Sequence, residues 1–236
     1  MLVKSSLLEV MVMSEGIDVL ILTLGFEPGP LVGALASKLP KASQNGITVI
    51  VFVPSFKDER AERAWRQLSE IFEMMKFKAK NATLIRYVVD LHNFSDAIYQ
   101  ISSLLSKYRD KRVFISLTGG MRALILAVFI SYLLVNWKIT PEIEVFLEGR
   151  GESILLPPLA GLVGMRVGEK EVRLLAHMES DKVYKVNELC SILNKDRSTV
   201  YRYLRTLLEH RLVEKVDEGV KLTALGVLIS KFLKNL

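Results

Sequence analysis

Four strand-like runs dictate what this chain can fold into: Asp18 to Thr23, Ile47 to Val53, Thr83 to Val89 and Arg112 to Leu117. None is read as alternating polar with apolar residues, so each is expected to be covered on both faces of a sheet. Helical runs separate them, at Pro28 to Leu39, Asp58 to Phe77 and Asn93 to Tyr108, and Gly120 to Trp137 follows the fourth. Strands that return through helices run parallel, because a parallel pair needs a long crossover. The expected fold class is therefore α/β, a mostly parallel sheet with helices on both faces. Ile143 to Leu147 and Ser153 to Leu156 flank a segment of turn composition, Glu148 to Glu152. That pair predicts an antiparallel hairpin at one edge.

The helices carry core stripes at helical spacing. Trp65, Leu68, Phe72 and Met75 share one face, as do Ile98, Ile101, Leu104 and Leu105. Ala123 to Trp137 carries no charge. It is short for a membrane span and sits inside the strand–helix pattern, so it is expected to be a helix buried in a large core. No segment reads as a secretory signal, the fold is expected to begin near Ile17, Met13 is an alternative start, and the protein is expected to be cytoplasmic without a membrane partner. A single cysteine, Cys190, excludes an internal disulfide, and His92, His177 and His210 lack ligand-like spacing, so no metal is expected.

Pro157-Pro158-Leu159-Ala160-Gly161 and Gly164 mark a boundary. It divides a first domain, 17–157, from a second, 167–236, with 158–166 as linker. Beyond it the elements shorten: helices at Gly168 to Met178, Val186 to Leu193 and Arg197 to Glu209, then two short strands around Asp217-Glu218-Gly219, then a helix from Thr223. Two helices, a turn at Asn194-Lys195-Asp196, a basic helix and a β-wing make the layout of a winged helix-turn-helix. Val200, Leu204 and Leu207 form the core stripe of the basic helix, which leaves Arg197, Ser198, Thr199, Tyr201, Arg202 and Arg205 for double-stranded DNA. Lys215 and Lys221 flank the wing turn, within reach of backbone phosphates. Residues 166–236 hold 14 Lys and Arg against 10 Asp and Glu, the larger part of a net charge of +6. This mild excess fits an anionic partner, and it fits a plain solvated surface as well.

In the first domain, Ser116-Leu117-Thr118-Gly119-Gly120-Met121-Arg122 joins a strand directly to a helix. The orphan N–H groups and dipole of a helix N-terminus favour a phosphate there. Arg122, unfavourable to the dipole, becomes useful once an anion is bound. Thr23, Gly25, Thr118, Gly119, Gly120 and Arg122 are expected on one rim of the sheet, where ligands bind in such folds. The Gly-Gly turn is also compatible with tight strand–helix packing alone. There is no Walker A lysine motif and no GxGxxG, so ATP hydrolysis and dinucleotide redox chemistry have no support.

Thr23-Leu24-Gly25-Phe26 and Ser116 to Arg122 resemble the two motifs of CARF domains, the CRISPR-associated Rossmann-like sensors. Followed by a winged helix, they resemble the archaeal CARF–winged-helix transcription regulators over nearly the whole chain. The resemblance implies a homodimer with one symmetric pocket for a cyclic oligoadenylate, the four-membered ring above all. By the motif match, Gly119, Gly120 and Met121 offer backbone N–H groups to phosphates, Thr118 and Arg122 add side-chain donors, and Gly25 and Phe26 line the floor. Asp90, His92 and Asn93 join the site by loop position only. The resemblance thus implies cyclic tetra-adenylate as a regulatory ligand and no other cofactor. Two alternatives stay open. One is a ring nuclease that slowly cleaves the ligand, with Thr118 and Arg122 stabilising charge and His92 as acid or base, although no residue is assigned as catalytic. The other is a winged-helix scaffold that binds neither ligand nor DNA.

Overall fold

The computed structural model describes residues 16–55, 58–147, 152–160, 162–163, 165 and 167–233. The chain divides into two compact units, one ending at Leu156 and the other beginning at Pro157.

The first unit runs β1 (Val19–Thr23), α1 (Gly29–Lys38), β2 (Ile47–Pro54), α2 (Glu59–Met75), β3 (Ala82–Val89), α3 (Phe94–Ser106), β4 (Val113–Ser116), α4 (Arg122–Leu134), β5 (Glu142–Leu147) and β6 (Glu152–Leu155). The sheet order is β3-β2-β1-β4-β5-β6, parallel except for the closing β5–β6 pair. The hairpin expected at one edge is therefore present; its connecting turn lies outside the described residues. Strand order reverses between β1 and β4, the place where an open parallel sheet leaves a crevice at its carboxyl ends.

Side-chain alternation along the strands assigns the helices to faces. Leu20, Leu22, Val49, Val51 and Phe114 pack with Leu31 and Leu35 of α1 and Leu68 and Phe72 of α2. On the opposite face, Ile21, Ile50, Phe52 and Ile115 are equally buried, on the side of α3 and α4. The central strands are covered on both faces, as their composition requires. The outer strand β3 is not: its residues alternate between exposed and half-buried, and Ile85 and Val88 face solvent. An edge strand has one neighbour, and the helices cover it incompletely.

The structure corrects the reading of the uncharged run after β4. The helix starts at Arg122 and stops at Leu134, where Val135 turns extended. Leu124, Ala127, Val128, Ser131 and Tyr132 face the core, but Leu126 and Leu134 are each about half exposed. The helix is thus buried along one stripe and apolar all round, not enclosed in a large core. No helix among the described residues is long and apolar enough to cross a membrane.

The second unit runs α5 (Glu169–His177), α6 (Val186–Leu193), α7 (Arg197–Glu209), β7 (Val213–Val216), β8 (Gly219–Leu222) and α8 (Ala224–Leu233). Leu174, Leu175, Leu189, Val200, Leu204, Leu207, Leu212 and Leu225 form its core around the buried Tyr184. Asn194 closes α6 in the left-handed conformation, φ 49°, a role Asn tolerates well. β7 and β8 pair antiparallel in register Val213↔Leu222, and Tyr184 bridges to Val220 beside them. This is a helix-turn-helix with a two-stranded wing.

Candidate functional site

At the point where strand order reverses, the loops after β1 and β4 meet backbone to backbone. Thr23 is fully buried, and its hydroxyl donates to the carbonyl of Gly119. A Cβ on Gly25 would lie 3.0 Å from the Cα of Gly120. Gly120 itself adopts φ +107°, a conformation L side chains rarely take. The glycines serve packing: small residues let the loops touch, and their contact fixes the turn.

That turn presents unused donors. The backbone N–H groups of Gly119, Gly120 and Met121 find no acceptor among the described residues, and α4 has no side-chain cap. Thr118 is half-buried with its hydroxyl against that of Ser116. Arg122 is exposed, without an ion pair among the described residues. Three amides, an uncompensated helix N-terminus and one guanidinium form an anion cradle.

Other expected members lie elsewhere or act differently. Thr23 is a clasp, its hydroxyl already committed to Gly119. Phe26 lies next to Gly25 in the loop after β1. It is 42% exposed, with the guanidinium carbon of Arg60 4.4 Å from its ring centroid. Asp90, His92 and Asn93 follow β3, which β2 and β1 separate from β4, so three strand spacings of about 5 Å lie between their loop and the cradle. Asp90 accepts from the His92 N–H at 3.0 Å, and Asn93 caps α3 by accepting from the Asp96 N–H at 3.3 Å.

Sequence reasoning missed Asp58 and Arg60. Asp58 caps α2 by accepting from the Arg60 N–H at 2.8 Å and pairs with its guanidinium at 2.9 Å. The Arg60 side chain thereby holds the Asp58 carboxyl below its ordinary value. An Asp opening a helical run was visible as a cap; the Arg60–Phe26 contact spans two elements and leaves no local signal. Between α2 and β3 lies a groove of about 800 Å3, lined in part by Ser55, Asp58, Glu62, Arg63 and Arg86, in which Arg86 pairs with Glu62. Among the described residues no group of three or more His, Cys, Asp or Glu could hold a metal ion.

In the second unit, Ser198, Tyr201, Arg202 and Arg205 are exposed on the outward face of α7, opposite the core stripe. The hydroxyls of Ser198 and Thr199 are engaged locally. Both donate to Asp196, at 2.6 and 2.8 Å, and the Thr199 N–H adds a third bond at 2.9 Å. These bonds, the Ser198 hydroxyl first, hold the Asp196 carboxyl far below its usual range. Ser198 and Thr199 thus secure the start of α7, with only their lone pairs left to a partner. Arg197 donates to Asn187 at 2.9 Å, tying α7 to α6. Arg205 pairs with Glu209 and Lys221 with Glu214, both exposed pairs of little strength. Arg202 and Lys215 have no ion pair among the described residues. A groove of about 460 Å3 lined in part by Arg202 adds Lys170, Arg173 and Lys195 to the basic surface.

Residues 18–157 match the family model described as the Csa3 CRISPR-associated Rossmann-like domain. The chain belongs to that family. Residues 170–215 match the bacterial regulatory protein, arsR family. Among solved structures the chain is similar to Enterococcus italicus Csm6 bound to cyclic hexa-2'-fluoro-hexa-dAMP. The TM-score is 0.50 at 9% identity, over 84% of this chain and 55% of that one, a likeness of fold. The chain thus spans little more than half the length of that neighbour. No curated protein matches in sequence. The anion cradle is therefore the carboxyl-end crevice of a CARF domain, and α6, α7 and the wing belong to a winged helix-turn-helix. One chain thus joins a CRISPR-associated Rossmann-like domain to the helix-turn-helix of a regulatory-protein family.

Proposed function

We propose that the protein is a homodimeric, cytoplasmic transcription regulator of CRISPR loci that binds double-stranded DNA through α7 and the wing and is modulated by a cyclic oligoadenylate, with cyclic tetra-adenylate as the ligand. The observation that carries the reading is the cradle: three free amides and Arg122 at the crevice of a CARF domain, in one chain with a DNA-binding fold. The cyclic adenosine nucleotide in the Csm6 neighbour supports the ligand class.

The outer face of α4 supports the dimer. No charge interrupts Ala123 to Trp137, and Leu126 and Leu134 face outward. An exposed apolar helix face is covered most simply by its own copy. Because α4 begins at the cradle, two α4 helices side by side bring two cradles together. An isologous site presents each donor twice and suits an even-numbered ring. Arg202, Tyr201 and Arg205 meet base edges and Lys215 the phosphates; the ring acts on DNA affinity by favouring one state of the dimer.

Calorimetric titration with cyclic tetra-adenylate, against linear tetra-adenylate as control, tests the ligand. Saturation at one ring per two chains, with the ring recovered intact, is the expected result. Recovery of a linear product would move the protein to the ring nucleases, and no binding would leave the glycine turn as packing alone.

A further inference from the structure

Phe26 and Arg60 form a structure that the phosphate cradle does not explain. Phe26 directly follows Gly25, the residue packed on Gly120, so its backbone is one residue from the cradle. Phe26 is 42% exposed, which leaves it open to a partner. The guanidinium of Arg60 lies over its ring at 4.4 Å. Arg60 does not drift there on a free side chain. Asp58 grips it through Nη2 at 2.9 Å and Nε at 3.2 Å, and Asp58 is itself fixed as the cap of α2.

The hydrogen bonding of Arg60 bears on what this pair can bind. Asp58 engages the Nε and Nη2 donors of this guanidinium, which leaves fewer of them to clamp a phosphate. The Arg60 side chain is 68% exposed and so accessible to a ligand. A flat cation lying over an aromatic ring is a surface for another flat ring. Nucleobases stack on aromatic and guanidinium planes whatever their sequence, and the two contacts reinforce each other.

We infer that Phe26 and Arg60 form a nucleobase-stacking platform beside the cradle, and that Arg60 is a ligand-binding residue taking a purine base while Gly119 to Arg122 take the phosphates. This rests on the ligand class proposed above. It divides the labour: the amides recognise the backbone of the nucleotide, the platform recognises its base, and Asp58 positions Arg60.

The test compares the binding of cyclic tetra-adenylate by the full-length protein and three variants. Arg60→Ala removes the stacking plane and is expected to weaken binding about tenfold, the lower part of the range for one stacked base. Arg60→Lys keeps the charge without the plane and is expected to lose nearly as much. Arg63→Ala removes an equal charge from an exposed position one turn on and is expected to change binding less than about twofold. The inference is overturned by wild-type affinity in Arg60→Ala, by full rescue in Arg60→Lys, or by equal losses in Arg60→Ala and Arg63→Ala. Wild-type protein that binds no ring overturns the ligand reading itself, and the platform with it.

Discussion

Replacing Gly120 by alanine tests whether the cradle is a built turn. The backbone there sits at φ +107°, so an L residue is strained whatever the space around it. Such conformations cost about 1–3 kcal/mol. The new Cβ would also lie 3.2 Å from Thr23 Cβ and 3.3 Å from its carbonyl carbon, in a strand residue that is fully buried and unable to retreat. A loss of about 2 kcal/mol corresponds to a drop of roughly 4–8 °C in the melting of a domain of this size. Gly33→Ala is the matched control. Gly33 lies inside α1 with open space around its Cβ position, so alanine gains about 1 kcal/mol from helix propensity and melting rises. Scanning calorimetry of both variants reads the opposite signs directly. Melting of Gly120→Ala at or above the wild-type temperature would refute the argument that the two loops lock each other.

Three further outcomes follow from the same geometry. Arg202→Ala is expected to cost about 1–3 kcal/mol of operator affinity by electrophoretic shift while leaving ring binding intact, and unchanged DNA affinity would remove α7 from the interface. Leu126→Glu places a charge on the outward face of α4 and is expected to convert a dimer to monomers in sedimentation with the fold preserved; an unchanged mass would exclude that face as the contact. The Asp196 carboxyl is held low in the folded chain, so its stabilisation is present above the ordinary Asp value of about 4 and is lost as pH falls toward the folded value. Melting of wild type should therefore fall more steeply between about pH 5 and 2 than that of Asp196→Asn, and superimposable pH profiles would deny the cap that role.

The sheet was legible because each central strand is apolar throughout, and that composition admits only a doubly covered parallel sheet. β3 misled because Thr83, Ile85 and Tyr87 belong equally well to a buried or an edge strand; only the strand order distinguishes them. The cradle glycines were readable because strand, glycine pair and helix are contiguous in sequence. The Phe26–Arg60 contact was not legible, because nothing local announces that Arg60, on another element, will lie over the ring. Ser198 and Thr199 were read as contacts to bases or phosphates, and an aspartate just before them at a helix start engages both hydroxyls. That engagement was visible in Asp196-Arg197-Ser198-Thr199 as a local signal.

Regulation by a ring is the central claim, and one measurement reaches both halves of the chain: fluorescence anisotropy of labelled CRISPR-promoter DNA titrated with the full-length protein, with and without saturating cyclic tetra-adenylate. A shift in DNA affinity of at least about fivefold, in either direction, is the coupling expected of an allosteric ligand. Identical DNA affinity with the ring demonstrably bound would contradict the account, because the ring would then favour no state of the regulator over another.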